Sequence, residues 1–102
     1  MEINVSQPLV YFATIRPQPQ HFAAARDAVM AIVSQTQEEP GCREFRLFTD
    51  PDGTQLHIIE SWRDQAAFDF HHAQDYTRAV FESYKGWLAE PPILTPLTVV
   101  AG

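Results

Sequence analysis

Cysteine is almost absent from this 102-residue sequence, which contains only Cys42. A single cysteine cannot form a disulfide within the chain, and no Cys-x-x-Cys pair is present to build a thiolate metal centre. Isolated thiols of this kind are typical of reducing compartments. We therefore expect a cytoplasmic protein without a thiolate site.

Basic residues are also few. The chain has 7 Lys and Arg residues against 13 Asp and Glu residues, a net charge of −6. Because the basic residues are scattered, no patch is available to neutralise a phosphate backbone. The acidic balance also disfavours binding to anionic lipid. We expect no nucleic-acid partner and no membrane partner.

Long hydrophobic runs are missing as well. No segment approaches the roughly 18 apolar residues of a transmembrane helix, and the opening MEINVSQPLVYFATIRP lacks the basic start and apolar stretch of a secretory signal. The composition is otherwise that of a globular protein, with 45% hydrophobic and 12% aromatic residues. This length allows one domain, which we place over residues 1–102.

Local patterns predict four strands and three helices. Strands are predicted where β-branched and aromatic residues cluster between turn residues, at 9–15, 43–49, 55–62 and 93–100. Helices are predicted where apolar residues recur every three or four positions, at 21–36, 65–72 and 76–89. Asp64 and Asp75 are the predicted N-caps of the last two helices. The order β-α-β-β-α-β predicts a ferredoxin-like α+β fold with a four-stranded antiparallel sheet, its second helix broken in two.

The predicted strands are apolar on both faces. In the first strand Val10 and Phe12 share one face, while Tyr11, Ala13 and Ile15 share the other. The helices can cover only one face of the sheet, so the second face needs a partner. The most economical partner is a second copy, which predicts a homodimer packed sheet to sheet. The alternative is a monomer with a few exposed apolar residues.

The segment EEPGCREFRLFTDPDGTQLHIIESWRDQAAFDFHHAQDY, residues 38–76, resembles the core of the antibiotic biosynthesis monooxygenase domain family. The marks of the resemblance are, in order, Pro40-Gly41-Cys42, Glu60-Ser61-Trp62, Asp64, Ala67-Phe68 and His72. The resemblance continues weakly through both flanks. It implies a dimeric α+β barrel with a hydrophobic pocket between the sheet and the helices.

Members of this family oxygenate quinols, anthrones and related polyphenols without metal, flavin or haem, whereas others degrade haem or process small signalling molecules. The resemblance therefore implies a cofactor-independent monooxygenase that acts on an apolar, quinol-like or polyphenolic aromatic molecule, with dioxygen as second substrate. Haem degradation is disfavoured because Phe81 stands where such members carry an axial histidine. Two alternatives stay open: a non-enzymatic small-molecule-binding module, and an isomerase or lyase for a small carbonyl or lactone compound.

The resemblance also assigns roles to residues. His72 matches the family histidine and is the predicted catalytic base, because a neutral imidazole can remove a phenolic proton near neutral pH. Its structural alternative is to cap the end of the short helix. The predicted substrate-binding residues are the aromatic side chains Trp62, Phe12, Phe68 and Tyr76.

A buried carboxylate is expected at Glu60, which shares a strand face with Trp62. Such a carboxylate needs a partner, because an isolated charge in the interior is costly. We predict a structural ion pair between Glu60 and Arg46 across the hairpin.

The remaining histidines do not predict a metal site. His57 falls on the strand face opposite Glu60, and His71 points roughly 100° away from His72 on a helix. We therefore expect only one of His71 and His72 to face the pocket, with no metal bound.

Overall fold

The computed structural model describes residues 7–102. Its strands are β1 (Leu9–Ile15), β2 (Cys42–Thr49), β3 (Leu56–Trp62) and β4 (Ile93–Leu97). Its helices are α1 (Phe22–Met30), α2 (Val33–Gln37), α3 (Gln65–Ala73) and α4 (Asp75–Trp87), and a 3-10 turn at Pro19–His21 precedes α1. Among these helices, none combines the length and the apolar character needed to cross a membrane.

The four strands form one antiparallel sheet in the order β2-β3-β1-β4. This order confirms the predicted ferredoxin-like α+β fold. The predicted hairpin of β2 and β3 is closed at Asp50, whose side chain accepts the backbone N–H groups of Thr54 and Gln55, each at 3.0 Å. Gly53 completes the turn with a φ of 71°, a conformation that favours glycine.

The bounds of one helix and one strand differ from the predicted bounds. The single predicted helix at 21–36 is divided, because Ile32 leaves helical geometry with a φ of −107° and a ψ of 0°. The last strand ends at Leu97 rather than at residue 100. It lies at the edge of the sheet, as expected for a strand containing Pro96.

One predicted helix cap is confirmed and the other is wrong. The Asp64 carboxylate accepts the backbone N–H of Ala67 at 2.9 Å and caps α3. Asp75 is the first residue of α4 rather than its cap, and it pairs with Arg78 on the surface at 2.8 Å. The residue before it, Gln74, makes no side-chain capping bond.

The core lies between the helices and one face of the sheet. Three strands (β1, β2 and β3) and three helices (α1, α3 and α4) contribute buried side chains to it. These are Ala13, Ile15, Ala25, Val29, Phe45, Leu56, Ile58, Trp62, Ala67 and Tyr84. The Tyr84 hydroxyl donates to the Ala25 carbonyl at 2.8 Å, which joins α4 to α1. We call the face of the sheet that carries these strand residues the inner face.

The other face, here called the outer face, is also largely apolar. Its apolar side chains are not part of the core of residues 7–102. They are Val10, Phe12, Phe48, Ile59, Ile93 and Leu97. Ile93 and Leu97 are close to half exposed, at 46% and 48%. The two-sided apolar pattern expected from the sequence is therefore present in the folded sheet.

Candidate active site

A small cavity lies between the inner face and helix α4. Its polar groups come from Glu60, His71, His72 and Thr77, and most of the remaining wall is apolar. The cavity volume is about 60 Å³, room for a few water molecules at roughly 10–15 Å³ each. This volume is too small for an aromatic ring unless side chains at the exposed rim move. The largest apolar side chains at that rim are Phe81 and Leu94.

Helix α3 buries the His71 imidazole beside this cavity. Its Nδ1 atom lies 2.9 Å from Oε2 of Glu39, and both side chains are about 95% buried, with exposures of 5% and 4%. The His71 ring stacks on Trp62 with centroids 4.7 Å apart and an interplanar angle of 29°. Stacking and the hydrogen bond together fix both the position and the orientation of the ring.

Tyr76, at the start of α4, is the second partner of Glu39. Its hydroxyl donates a short hydrogen bond to Oε2, the same oxygen that contacts His71. Burial and this bond to Glu39 raise the pKa of Tyr76, so the phenol stays protonated. The other carboxylate oxygen, Oε1, is buried without a hydrogen-bond partner among residues 7–102.

The turn that carries Glu39 is held against helix α3 by close packing. A Cβ atom added to Gly41 would lie 2.1 Å from Cβ of Ala67, so only glycine fits at this position. The Gly41 carbonyl accepts the backbone N–H of Arg63 at 2.8 Å, just before α3 begins. This contact brings Glu39 within reach of His71, although the two residues are 32 positions apart.

His72, the predicted base, also borders the cavity, but within residues 7–102 it makes no ion pair. Its ring packs against Phe68 and Phe81, with centroid distances of 4.3 Å and 5.4 Å. Burial, and then the neighbouring His71, lower the pKa of His72. The side chain is therefore neutral at pH 7, which a base requires.

Glu60 is buried on the inner face and borders the same cavity. Its Oε1 atom accepts the indole N–H of Trp62 at 3.0 Å. Burial raises the pKa of Glu60, an effect that the Trp62 hydrogen bond only partly offsets. This carboxyl group thus favours its neutral form more than a surface carboxyl does.

The predicted ion pair between Glu60 and Arg46 is wrong. The register of the hairpin places Phe45 opposite Glu60 and Arg46 opposite Ile59, so the arginine emerges on the outer face. There its nearest carboxylate is Glu44, at 3.9 Å. The indole hydrogen bond, rather than a cation, offsets part of the cost of burying Glu60.

Among residues 7–102, no group of three or more His, Cys, Asp or Glu side chains is arranged to hold a metal ion. His57 lies on the outer face, as expected, and stacks on Phe12 with centroids 5.1 Å apart. His71 and His72 have ring centroids 5.2 Å apart. The polar residues of the cavity therefore offer acid–base chemistry and hydrogen bonding.

Comparison with known proteins agrees with the resemblance seen in residues 38–76. The model of the antibiotic biosynthesis monooxygenase family matches residues 8–83. The chain belongs to this family. A family member's fold does not fix its substrate, so the activity has to be argued from the site.

Individual relatives cover most of the chain. Rv0793 from Mycobacterium tuberculosis, which is named as a candidate monooxygenase, is 29% identical over 72 residues that make up 71% of each chain. Its solved structure has a TM-score of 0.87 at 26% identity, covering 93% of this chain and 97% of that one. PA3566 from Pseudomonas aeruginosa has a TM-score of 0.89 at 28% identity, covering 97% and 100%.

None of the four predicted substrate-binding residues is part of the cavity wall. Phe12 is on the outer face, so its assignment to the pocket is wrong. Trp62 is fully buried behind His71, and Phe68 packs between Tyr11 and His72. Tyr76 contacts Glu39 instead of the cavity. Trp62 and Phe68 contact the two histidines that border the cavity, whereas Tyr76 contacts Glu39, the partner of His71.

Sequence reasoning missed Glu39 and the position of His71. Both histidines border the cavity because it lies in the angle between the sheet and α4. His71 points to Trp62 in the sheet, and His72 points to Phe81 in α4. The only signal for Glu39 is a carboxylate placed directly before Pro40-Gly41, which the sequence alone indicates as a turn.

Proposed function

We propose that this protein is a cofactor-independent monooxygenase that acts on a quinol-like or polyphenolic aromatic molecule. The observation that carries the proposal is a largely apolar cavity bordered by two histidines, in a chain of the antibiotic biosynthesis monooxygenase family. A histidine base in an apolar cavity is suited to removing a phenolic proton near neutral pH. His72, the base predicted from the sequence, and His71 both qualify by position.

The proposed reaction needs only the substrate, dioxygen and a base. The base takes the hydroxyl proton, and the electron-rich anion passes one electron to dioxygen. The resulting radical pair joins through a new C–O bond, and the base returns its proton to give a hydroperoxide. Loss of the C–H proton from that carbon, with cleavage of the O–O bond, leaves a carbonyl and releases water. The carbon supplies all four electrons that dioxygen accepts.

The assembly and location form part of the same proposal. We propose a homodimer in which the outer faces of two sheets pack together, because each outer face carries six apolar side chains outside the core. We place the protein in the cytoplasm, where its single thiol would stay reduced.

The proposal is tested by oxygen uptake with a panel of quinols and anthrones. We expect uptake with at least one substrate, with product carrying one oxygen atom from labelled dioxygen. The double variant His71→Asn/His72→Asn should lose at least about 100-fold in turnover. The control is His21→Asn, which removes a histidine outside the cavity and should turn over normally.

Two results would contradict the proposal. Undiminished turnover in the double variant would exclude a histidine base. Tight binding of an aromatic compound by the wild type, with no oxygen uptake on any substrate, would favour the binding-module alternative.

A further inference from the structure

The two histidines beside the cavity differ in how they are held. His71 contacts a buried carboxylate, Glu39, whereas His72 contacts aromatic rings. A carboxylate beside an imidazole holds the ring in one orientation and stabilises the imidazolium that forms when the ring takes a proton. This difference decides which histidine is suited to remove a proton from a bound substrate.

The contacts of Glu39 also fix which nitrogen of His71 is free. Oε2 of Glu39 accepts the Tyr76 hydroxyl and lies 2.9 Å from Nδ1 of His71. A carboxylate oxygen can only accept hydrogen bonds, so with Glu39 as a carboxylate Nδ1 would carry the hydrogen and Nε2 of the neutral ring the lone pair. Nε2 has no hydrogen-bond partner within residues 7–102, yet it is not sealed off. It is the free ring nitrogen of a histidine that borders the cavity.

Other polar groups within residues 7–102 surround the pair of His71 and Glu39. From β3, Glu60 is shifted toward its neutral form by burial, which raises its pKa. From β2, burial raises the pKa of the Cys42 thiol to about 11, so the thiol is uncharged at pH 7. From α4, Tyr76 and Thr77 carry neutral hydroxyl groups, one bonded to Glu39 and the other 3.4 Å from Nδ1 of His71. On α3 itself, burial lowers the pKa of His72, which keeps it neutral.

We propose that His71 is the catalytic base of this site and that Glu39 is its positioning residue. This inference rests on the proposed monooxygenase function. His72 is then part of the cavity wall and contacts the bound aromatic ring. Glu39 holds the His71 ring with Nε2 toward the cavity and stabilises the charge that the ring gains on taking the phenolic proton.

Single variants distinguish the two histidines. His71→Asn should lower kcat/KM at least about 100-fold. His72→Asn should lower it less than about 10-fold, mainly through KM, because a wall residue contributes to binding more than to proton transfer. A large loss in His72→Asn with little loss in His71→Asn would overturn the inference and leave the proposed function standing. No oxygen uptake by the wild type would overturn both.

The role of Glu39 has its own test in the pH profile. Glu39→Gln keeps the shape of the side chain but removes the charge. We expect kcat to fall at least about 10-fold with KM little changed, and the acidic limb of kcat/KM to move to lower pH. Glu38→Gln is the matched control, since that glutamate is exposed one residue away. An unchanged pH profile in Glu39→Gln would contradict the positioning role.

Nitrogen-15 NMR of the wild-type protein tests the geometry without any substrate. At pH 8 we expect His71 in the tautomer with hydrogen on Nδ1 and not on Nε2. The opposite tautomer would overturn the inference. Because this measurement needs no variant, it does not depend on whether Glu39→Gln folds.

Discussion

At the scale of single residues, two carboxyl groups in or beside the cavity wall are buried without a Lys or Arg partner among residues 7–102. Glu60 accepts the Trp62 indole N–H, and Glu39 accepts the Tyr76 hydroxyl and contacts Nδ1 of His71. Burying a carboxylate is costly unless hydrogen bonds compensate for lost water. Glu60, with a single hydrogen bond to Trp62, should therefore reduce stability when it is ionised.

Glu60→Gln tests this cost. Because burial raises the pKa of Glu60 in the folded state, its stabilising contribution is complete below the unfolded pKa of about 4.3 and is lost as pH rises through the folded pKa. Glutamine is neutral throughout and can still accept the indole N–H. We expect the variant to be similar to wild type near pH 4 and more stable at pH 8.

Urea unfolding across this pH range is the measurement. The control is Glu38→Gln, which changes an exposed carboxylate in the loop after α2 and should show little change. A stability difference between Glu60→Gln and wild type that stays constant with pH would show that the cost of ionising Glu60 is negligible.

At the scale of secondary-structure elements, the decisive contact is between the turn before β2 and the first turn of α3. Gly41 and Ala67 meet there with no room for another methyl group. The same turn carries Glu39, and the same helix carries His71. Spacing between these two elements therefore controls the distance between carboxylate and imidazole.

Gly41→Ala should destabilise the protein by about 1–3 kcal/mol, the usual cost of overpacking. Ala67→Gly alone should cost about 1 kcal/mol, because glycine is a poor helix former. The double variant restores room for the new methyl group and should cost less than the sum of the two. Chemical denaturation of the four proteins measures this coupling. If the two free-energy changes simply add in the double variant, the turn or the helix must move easily enough to make room, which would contradict a tight contact between Gly41 and Ala67.

The sequence predicts most of these elements but only part of the site. Strands and the hairpin turn follow from local signals such as Asp50 and Gly53, so they are predicted closely. Whether Arg46 or Phe45 faces Glu60 depends on a register difference of one residue, which local patterns do not determine. The burial of Glu39 depends on packing between the turn and α3, which are distant in sequence.

At the scale of the whole molecule, the outer face determines the proposed assembly. Two copies packed through it should sediment with twice the 11.6 kDa mass of one chain. Ile59→Arg places a charge near the middle of that face, on a central strand, and should give a single-chain species. Met30→Arg is the control, because Met30 is an exposed apolar residue on α1, 57% exposed.

Analytical ultracentrifugation at micromolar concentration distinguishes these outcomes. Circular dichroism should confirm that Ile59→Arg retains its helices. A wild-type protein that sediments as one chain, or an Ile59→Arg variant that keeps the wild-type mass, would contradict the sheet-to-sheet dimer.

Strand β1 hydrogen-bonds to β4 as well as to β3, although most of the chain separates β1 from β4. During translation, one side of β1 stays unpaired until residues 93–97, which form β4, have left the ribosome. A nascent or prematurely terminated chain that stops after α4 would display an unpaired apolar strand, which is prone to aggregation. Folding of this protein during synthesis should therefore depend on rapid translation of β4, or on a chaperone that protects β1 until β4 is available.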